Sequence, residues 1–174
     1  MNFILGICGH PGSGKSEVLK ILQGKGWYVI DADEVVHRLY EKGRPGQRKV
    51  VDFFGDEFIS KDGSVNRSKL RKVVFSDFKK LKILNVLIHP LVFNEISKEL
   101  YKLDEEKVAI EAVYFEDKYL NKLVDNILVV ERPDVNTKEF IDILPKKVDG
   151  KVLNNSTLKD LEKQVIIQVE KLTS

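Results

Sequence analysis

The stretch GHPGSGKS at residues 9–16 follows directly on an apolar run at residues 3–8 and leads into a helical pattern at residues 15–23. Its spacing matches G-x-x-x-x-G-K-[ST], a pattern typical of loops that bind phosphate between a strand and a helix. Glycines let such a loop turn its N–H groups inward, and the helix start adds the positive end of its dipole. The stretch therefore predicts a phosphate-binding loop rather than a plain glycine-rich turn.

The side chains of this loop predict how a nucleoside triphosphate would be held. Lys15 is expected to reach the β and γ phosphates, and the Ser16 hydroxyl to bind the Mg²⁺ that bridges them. The predicted ATP contacts from this segment are Pro11, Gly12, Ser13, Gly14, Lys15, Ser16 and Glu17.

Composition limits the classes of protein that fit. The chain has 174 residues, is 43% hydrophobic and 32% charged, and carries a formal net charge of +2. This favours one globular domain with no strongly polyanionic partner such as nucleic acid. Cys8 is the single cysteine and is predicted to be a small core residue, and the three histidines lack zinc-ligand spacing. The sequence shows no basic leader and no apolar run of ~18 residues, so we expect a cytoplasmic protein without a membrane partner. We also expect a monomer or weak homo-oligomer.

Alternation of short apolar runs with helical patterns predicts an α/β fold with a parallel sheet. One predicted helix lies at residues 158–172, and another has its N-cap in Phe75-Ser76-Asp77 and carries Leu81, Ile83, Leu84 and Leu87. Pro90 is expected to stop or bend the second of these. Residues 34–103 supply helices but no convincing core strand, which predicts a helical insertion. The strand candidates are residues 3–8, 27–30, 108–115, 127–130 and 152–153.

Two carboxylates, Asp31 and Asp33, follow the second predicted strand. If the chain stays extended there, residues two apart point the same way, toward the phosphate loop. Asp31 would then hold a metal-bound water, and Asp33 would orient an acceptor hydroxyl and collect its proton. The alternative is that Asp33 only caps the following helix.

A guanine-nucleotide switch shares the loop but needs other motifs. The guanine-reading Asn-Lys-x-Asp is absent, because Asn121-Lys122 is followed by Leu123-Val124, and Asp52 to Gly55 mimics D-x-x-G only inside a helical pattern. A GTPase switch is therefore disfavoured.

Taken together, these motifs resemble those of the dephospho-coenzyme A kinase family. The resemblance implies a P-loop kinase core of five parallel strands, a helical lobe for the acceptor and a lid over ATP. It also implies transfer of the γ-phosphoryl of ATP to the 3′-hydroxyl of dephospho-coenzyme A, with Mg²⁺ as cofactor. The segments that carry it are GSGKSEV at 12–18, VIDADEVVH at 29–37, FGDEFI at 54–59, DGSVNRSKLRKVVFSD at 62–77, IHPLV at 88–92 and NNSTLKDLEKQV at 154–165.

The resemblance also implies roles for single residues. Asp33 matches the family's base, and Asn154 matches an asparagine that borders the adenine. Arg67 would grip the anionic end of the acceptor through two parallel hydrogen bonds, although a solvated surface arginine is the alternative. His89-Pro90 would shape the acceptor site or cap a helix. The residues expected at the acceptor are Asp33, Arg67, His89, Pro90, Phe115 and Glu116.

The sequence departs from the family in two places. Ala112-Val113-Tyr114-Phe115-Glu116 retains only the final Phe-Glu of the family's Pro-Leu-Leu-Phe-Glu, and the lid at about residues 132–147 is roughly twenty residues shorter than the resemblance implies. Arg132, Lys146 or Lys147 could replace the lid arginines, or all three could be solvated charges. Two alternatives therefore stay open, a related nucleoside or nucleotide kinase and an ATP-binding regulator that transfers nothing.

Overall fold

The computed structural model describes residues 2–104, 107–113, 115, 119–133, 145 and 147–174. The chain forms two compact units. The first combines Met1–Asp31 with Leu103–Ser174, and the second comprises Ala32–Lys102.

The first unit is built on one five-stranded sheet in which every neighbouring pair is parallel. The strands are β1 (Phe3–Cys8), β2 (Tyr28–Asp31), β3 (Lys107–Glu111), β4 (Asn126–Glu131) and β5 (Gly150–Leu153). Their order in the sheet is β2-β3-β1-β4-β5, so the chain crosses to one side of β1 and later to the other. The loop after β1 therefore lies where the strand order reverses, the position at which open α/β sheets bind ligands. The predicted α/β fold class is confirmed.

Two helices of the first unit, α1 (Lys15–Gly24) and the C-terminal helix (Leu158–Thr173, α6 below), cover the sheet core. Each helix buries residues at helical spacing, so one apolar face packs on the sheet. The shared core contains Leu5, Ile7, Val18, Leu19, Leu22, Ala109, Leu128, Val130, Val152, Leu161, Val165 and Val169. The predicted C-terminal helix is confirmed.

The second unit contains the helices α2 (Ala32–Leu39), α3 (Pro45–Phe54), α4 (Arg67–Phe75) and α5 (Phe78–Tyr101). Helix α5 packs against the other three. The predicted cap of α5 is confirmed, because Asp77 Oδ1 accepts hydrogen bonds from the N–H groups of Lys79 at 3.0 Å and Lys80 at 3.3 Å.

Helix α5 does not stop at Pro90 but continues to Tyr101, because buried Ile88, Val92 and Ile96 give it one packed face across the proline. The other expectation for Pro90, a bend in the helix, stays a prediction. Helix α2 begins at Ala32, so the chain is not extended from Asp31 to Asp33. The expectation that an extended segment makes these two side chains point the same way therefore does not hold.

Strand β3 is shorter than predicted, since it ends at Glu111 rather than continuing to Phe115. The backbone still follows β1 for one more residue, because Ala112 N donates to Ile7 O at 3.1 Å. Within the described ranges, no helix combines the length and apolar character needed to cross a membrane.

Candidate nucleotide-binding and catalytic site

The loop between β1 and α1 has the backbone of an anion site. Gly12 and Gly14 have φ angles of 80° and 100°, which a residue with a Cβ adopts only with strain. Gly14 stands at the N-cap of α1, and no side chain in the described part of the protein caps that helix start. The positive end of the helix dipole therefore faces a loop that has no anionic cap of its own.

Lys15 occupies the position expected of the phosphate-binding lysine. Although it is only 6% exposed, its Nζ donates to His10 O at 3.2 Å and lies 3.8 Å from Glu111 Oε1. The adjacent Ser16 Oγ lies 3.5 Å from Glu111 Oε2. The structure thus brings Lys15 and Ser16 to one carboxylate at the end of β3.

Sequence reasoning did not select Glu111. The predicted strand at residues 108–115 made Glu111 an interior residue of that strand, whereas it closes β3 in the structure. Glu111 lies in register with Ile7 on β1 and with Asp31 on β2. One signal could have identified Glu111 as the end of the strand. It is an acidic residue directly after the buried residues Val108, Ala109 and Ile110, and a charge after a buried run marks the end of a strand.

Three oxygen donors in this region fit a Mg²⁺ ion. Ser16 approaches Glu111, and Asp31 shares a sheet face with Glu111 because in-register residues of neighbouring strands point the same way. No group of three or more His, Cys, Asp or Glu side chains in the described ranges could hold a metal alone. Mg²⁺ in nucleotide sites needs only one or two carboxylates, because phosphate and water supply the other ligands.

Cys8, at the end of β1, is confirmed as a core residue. It is fully buried and free of any disulfide. Burial raises the pKa of the Cys8 thiol to about 12, and the positive charge of Lys15 opposes this only partly. A thiol held so strongly in its neutral form is a poor nucleophile.

Asn154 lies against the phosphate loop, just after β5. Its backbone N donates to Glu131 O at 2.7 Å, and its Nδ2 donates to Ser13 O at 2.9 Å. The predicted contact of Asn154 with adenine remains a prediction.

In the second unit, Asp33 and Arg67 stand at the starts of two helices. Asp33 is exposed in the first turn of α2, and Arg67 is the exposed first residue of α4. Asn66 caps α4, since its Oδ1 accepts from Lys69 N at 2.9 Å. Burial raises the pKa of Tyr40 to about 12, and the charge of Arg67 partly opposes this. Arg67 is therefore close enough to act on the Tyr40 hydroxyl.

Other candidate acceptor residues have mixed outcomes. His89 and Pro90 are half-buried in the middle of α5, so the alternative that they cap a helix is wrong. Phe115 is fully buried and would contact a Cβ at Gly6 from 3.0 Å, which favours a packing role over the predicted acceptor contact. Glu116 lies outside the described residues.

Of the cations proposed to replace the lid arginines, Lys146 lies outside the described residues, as do residues 134–144. Arg132 is exposed. Lys147 forms a 3.2 Å ion pair with Asp149, and its side chain is 75% exposed. An ion pair this exposed contributes little, which favours a solvated surface charge at Lys147.

The sheet order, the loop after β1 and the buried lysine at the start of α1 together define a P-loop kinase. The shikimate kinase of Aquifex aeolicus has the same fold, with a TM-score of 0.53 at 14% identity over 98% of both chains. Sequence comparison narrows the class. The family model for dephospho-CoA kinase matches residues 3–139, and the chain belongs to that family.

Individual relatives agree with this assignment. The dephospho-CoA kinase of Listeria monocytogenes is 31% identical over 98% of each chain, and that of Fusobacterium nucleatum is 35% identical over 93% of this chain and 94% of that one. The match to the Carboxydothermus hydrogenoformans protein is 37% identical but spans only 65% of that protein. The solved structure of TT1252 from Thermus thermophilus has a TM-score of 0.74 at 26% identity, covering 99% of both chains. The family, the ATP-dependent kinase class and the link to coenzyme A synthesis expected from the sequence are confirmed.

Proposed function

We propose that this protein transfers the γ-phosphoryl of ATP to the 3′-hydroxyl of dephospho-coenzyme A, with Lys15, Ser16, Glu111 and Asp33 in the central roles. The observation that carries the donor half is the position of Lys15. Its buried ammonium lies 3.8 Å from Glu111 beside an uncapped helix start. Such a site favours a polyanion, because a phosphate group can replace Glu111 as the partner of Lys15.

On the donor side, Lys15 binds the β and γ phosphates while loop N–H groups hold their oxygens. Ser16, Glu111 and Asp31 are the residues that would hold Mg²⁺. A bound Mg²⁺ would neutralise negative charge that develops on the transferred group. Pro11, Gly12, Ser13, Gly14 and Glu17 complete the proposed contacts with ATP.

On the acceptor side, Asp33 accepts a hydrogen bond from the 3′-hydroxyl and takes its proton late in the transfer. Its support is the resemblance together with its exposed place in the first turn of α2. Arg67 binds an anionic group of the acceptor, and the Asn66 cap fixes the backbone at the start of α4 from which its side chain extends. We propose that half-buried His89 and Pro90 shape the wall of the acceptor site. We also propose that the kinase works in the cytoplasm.

A product assay with Asp33→Asn tests this assignment. We expect unaltered protein with Mg·ATP to phosphorylate dephospho-coenzyme A at the 3′ position in preference to nucleosides or other nucleotides. Asp33→Asn should lower kcat by about 10²- to 10⁴-fold, the range of a lost general base, and change the KM for ATP little. Asp52→Asn, at an exposed position of α3, is the matched control and should keep full activity.

Three outcomes would contradict the proposal. Preferential phosphorylation of another acceptor would assign the protein to a different kinase activity. Equal losses in kcat and in ATP affinity for Asp33→Asn would instead give Asp33 a metal-binding or structural role. ATP binding without product, even with enzyme in excess over acceptor, would indicate a regulator.

A further inference from the structure

The end of β5 is fixed by a side chain of α6. Leu153 N donates to Gln164 Oε1 at 3.0 Å, and Gln164 Nε2 donates to Leu153 O at 3.0 Å. Because β5 is the last strand of the sheet in the described part of the chain, the outer backbone groups at its end have no neighbouring strand there to bond. The amide of Gln164 supplies one donor and one acceptor in the place of that missing strand.

The next residue, Asn154, connects this fixed point to the phosphate loop. Its N–H bonds Glu131 O at the end of β4, and its side-chain amide donates to Ser13 O at 2.9 Å. Backbone bonds on both sides of β5 thus restrict where the Asn154 side chain can lie. The contact with the loop is close, because a Cβ built on Gly14 would collide with Asn154 Nδ2.

Peptide geometry gives this hydrogen bond a consequence for anion binding. The C=O and N–H of a trans peptide point in opposite directions, so fixing Ser13 O toward Asn154 directs the N–H of Gly14 away from Asn154. The loop N–H groups must point inward together to bind a phosphate. A peptide free to rotate would lose that alignment for part of the time and weaken binding.

We propose that Asn154 and Gln164 are positioning residues for the phosphate loop, with Gln164 fixing Leu153 and Asn154 orienting the Ser13–Gly14 peptide. This inference rests on the proposed binding of ATP by the loop, and it gives Asn154 a task separate from the adenine contact expected from the resemblance. It does not depend on which acceptor is phosphorylated.

The experiment measures the binding of Mg·ATP and of Mg·tripolyphosphate, which has no base, by calorimetry without acceptor. Because one net hydrogen bond corresponds to roughly a 2- to 13-fold change in an equilibrium constant, Asn154→Ala should weaken both ligands by a similar factor of about 3 to 10. Gln164→Leu should weaken both by a smaller factor. Lys163→Leu is the control, since it introduces the same leucine at an exposed neighbouring position of α6 and should change neither affinity.

Further measurements separate positioning from loss of structure. Thermal midpoints and the KM for the acceptor should change little in Asn154→Ala, while the KM for ATP rises. If Gln164→Leu does not fold, Gln164→Glu keeps the acceptor for Leu153 N but removes the donor to Leu153 O, and it should show the same weakening.

A loss confined to Mg·ATP would overturn the inference, because it would show a direct contact between Asn154 and the base. Unchanged affinity for both ligands would also overturn it, and so would a loop that binds no tripolyphosphate in the unaltered protein. Failure to phosphorylate dephospho-coenzyme A would contradict only the proposed acceptor, since these titrations contain none.

Discussion

Replacing Glu111 by glutamine should have opposite effects on ATP binding with and without Mg²⁺. In the absence of nucleotide, Glu111 is the anionic partner of Lys15 at 3.8 Å, so it competes with phosphate for the same ammonium. In the proposed metal site, Glu111 would instead help to hold the Mg²⁺ that accompanies ATP. Glutamine keeps the size of the side chain and removes the charge that serves both tasks.

The magnitude follows from burial and distance. The side chains of Lys15 and Glu111 are 7% and 12% exposed. Near 4 Å, with an effective dielectric constant of about 20, the attraction is about 4 kcal/mol, and desolvation offsets part of it. Removing one partner of a buried pair costs about 3 to 5 kcal/mol, and we expect a smaller cost of about 2 to 3 kcal/mol, because His10 O still accepts from Lys15. For a chain of this length, the thermal midpoint should fall by about 5 to 10 °C.

The assay combines thermal unfolding with calorimetric titration of ATP in EDTA and in excess Mg²⁺. In EDTA, Glu111→Gln should bind ATP about tenfold more tightly, a change of about 1.4 kcal/mol, because Lys15 has lost its competing carboxylate. With Mg²⁺, activity should fall by about 10- to 100-fold, the usual effect of losing a residue that supports a metal ion. Glu131→Gln is the control, since Glu131 ends β4 and its carboxylate pairs with the exposed Lys151 rather than with Lys15.

Weaker binding of metal-free ATP by Glu111→Gln would refute the idea that Glu111 competes for Lys15. An unchanged thermal midpoint would show that the pair contributes nothing to the folded state. Unchanged activity at limiting Mg²⁺ would remove Glu111 from the metal site.

Three further predictions concern separate parts of the molecule. Gly14→Ala should lower both the stability and the ATP affinity, as measured by denaturant unfolding and ATP titration. The φ of 100° alone should cost about 1 to 2 kcal/mol, and the collision of the new Cβ with Asn154 should add to this cost. Arg67→Ala should raise the KM for the acceptor about tenfold or more with ATP unaffected, and Arg67→Lys should recover only part of this in steady-state assays, because lysine cannot form the bidentate contact. Because burial raises the pKa of Cys8 from 9.0 to about 12, the folded state holds that proton more tightly than the unfolded chain. Stability should therefore fall between pH 9 and 12, by up to about 1.4 kcal/mol per pH unit, and a Cys8→Ala variant compared at pH 9 and 10 should lack that slope.

The regular elements were predictable wherever one pattern covered the whole element. The apolar run at residues 3–8 is β1, and the periodic apolar residues near the C-terminus form α6. The errors occurred where two local signals compete. Pro90 predicted a stop or a bend in α5. The helix does not stop there, because the loss of one backbone hydrogen bond is outweighed by the packed face on both sides of the proline. The expectation that Asp31 and Asp33 point the same way requires an extended segment, whereas α2 begins between them.

By itself, the sequence determined the phosphate loop, because strand, glycines, lysine and helix start are contiguous and their geometry is set by neighbouring dihedral angles. It could not determine the partners of that loop. Ser16 and Glu111 are 95 residues apart, and Asn154 and Ser13 are 141 apart. Only the order of strands in the sheet brings β3 to one side of β1 and β4 with β5 to the other. Strand order results from burial and hydrogen bonding across the whole sheet. The tertiary structure alone therefore decided that the Glu111 carboxylate lies beside Lys15 and that the Asn154 side-chain amide bonds Ser13 O.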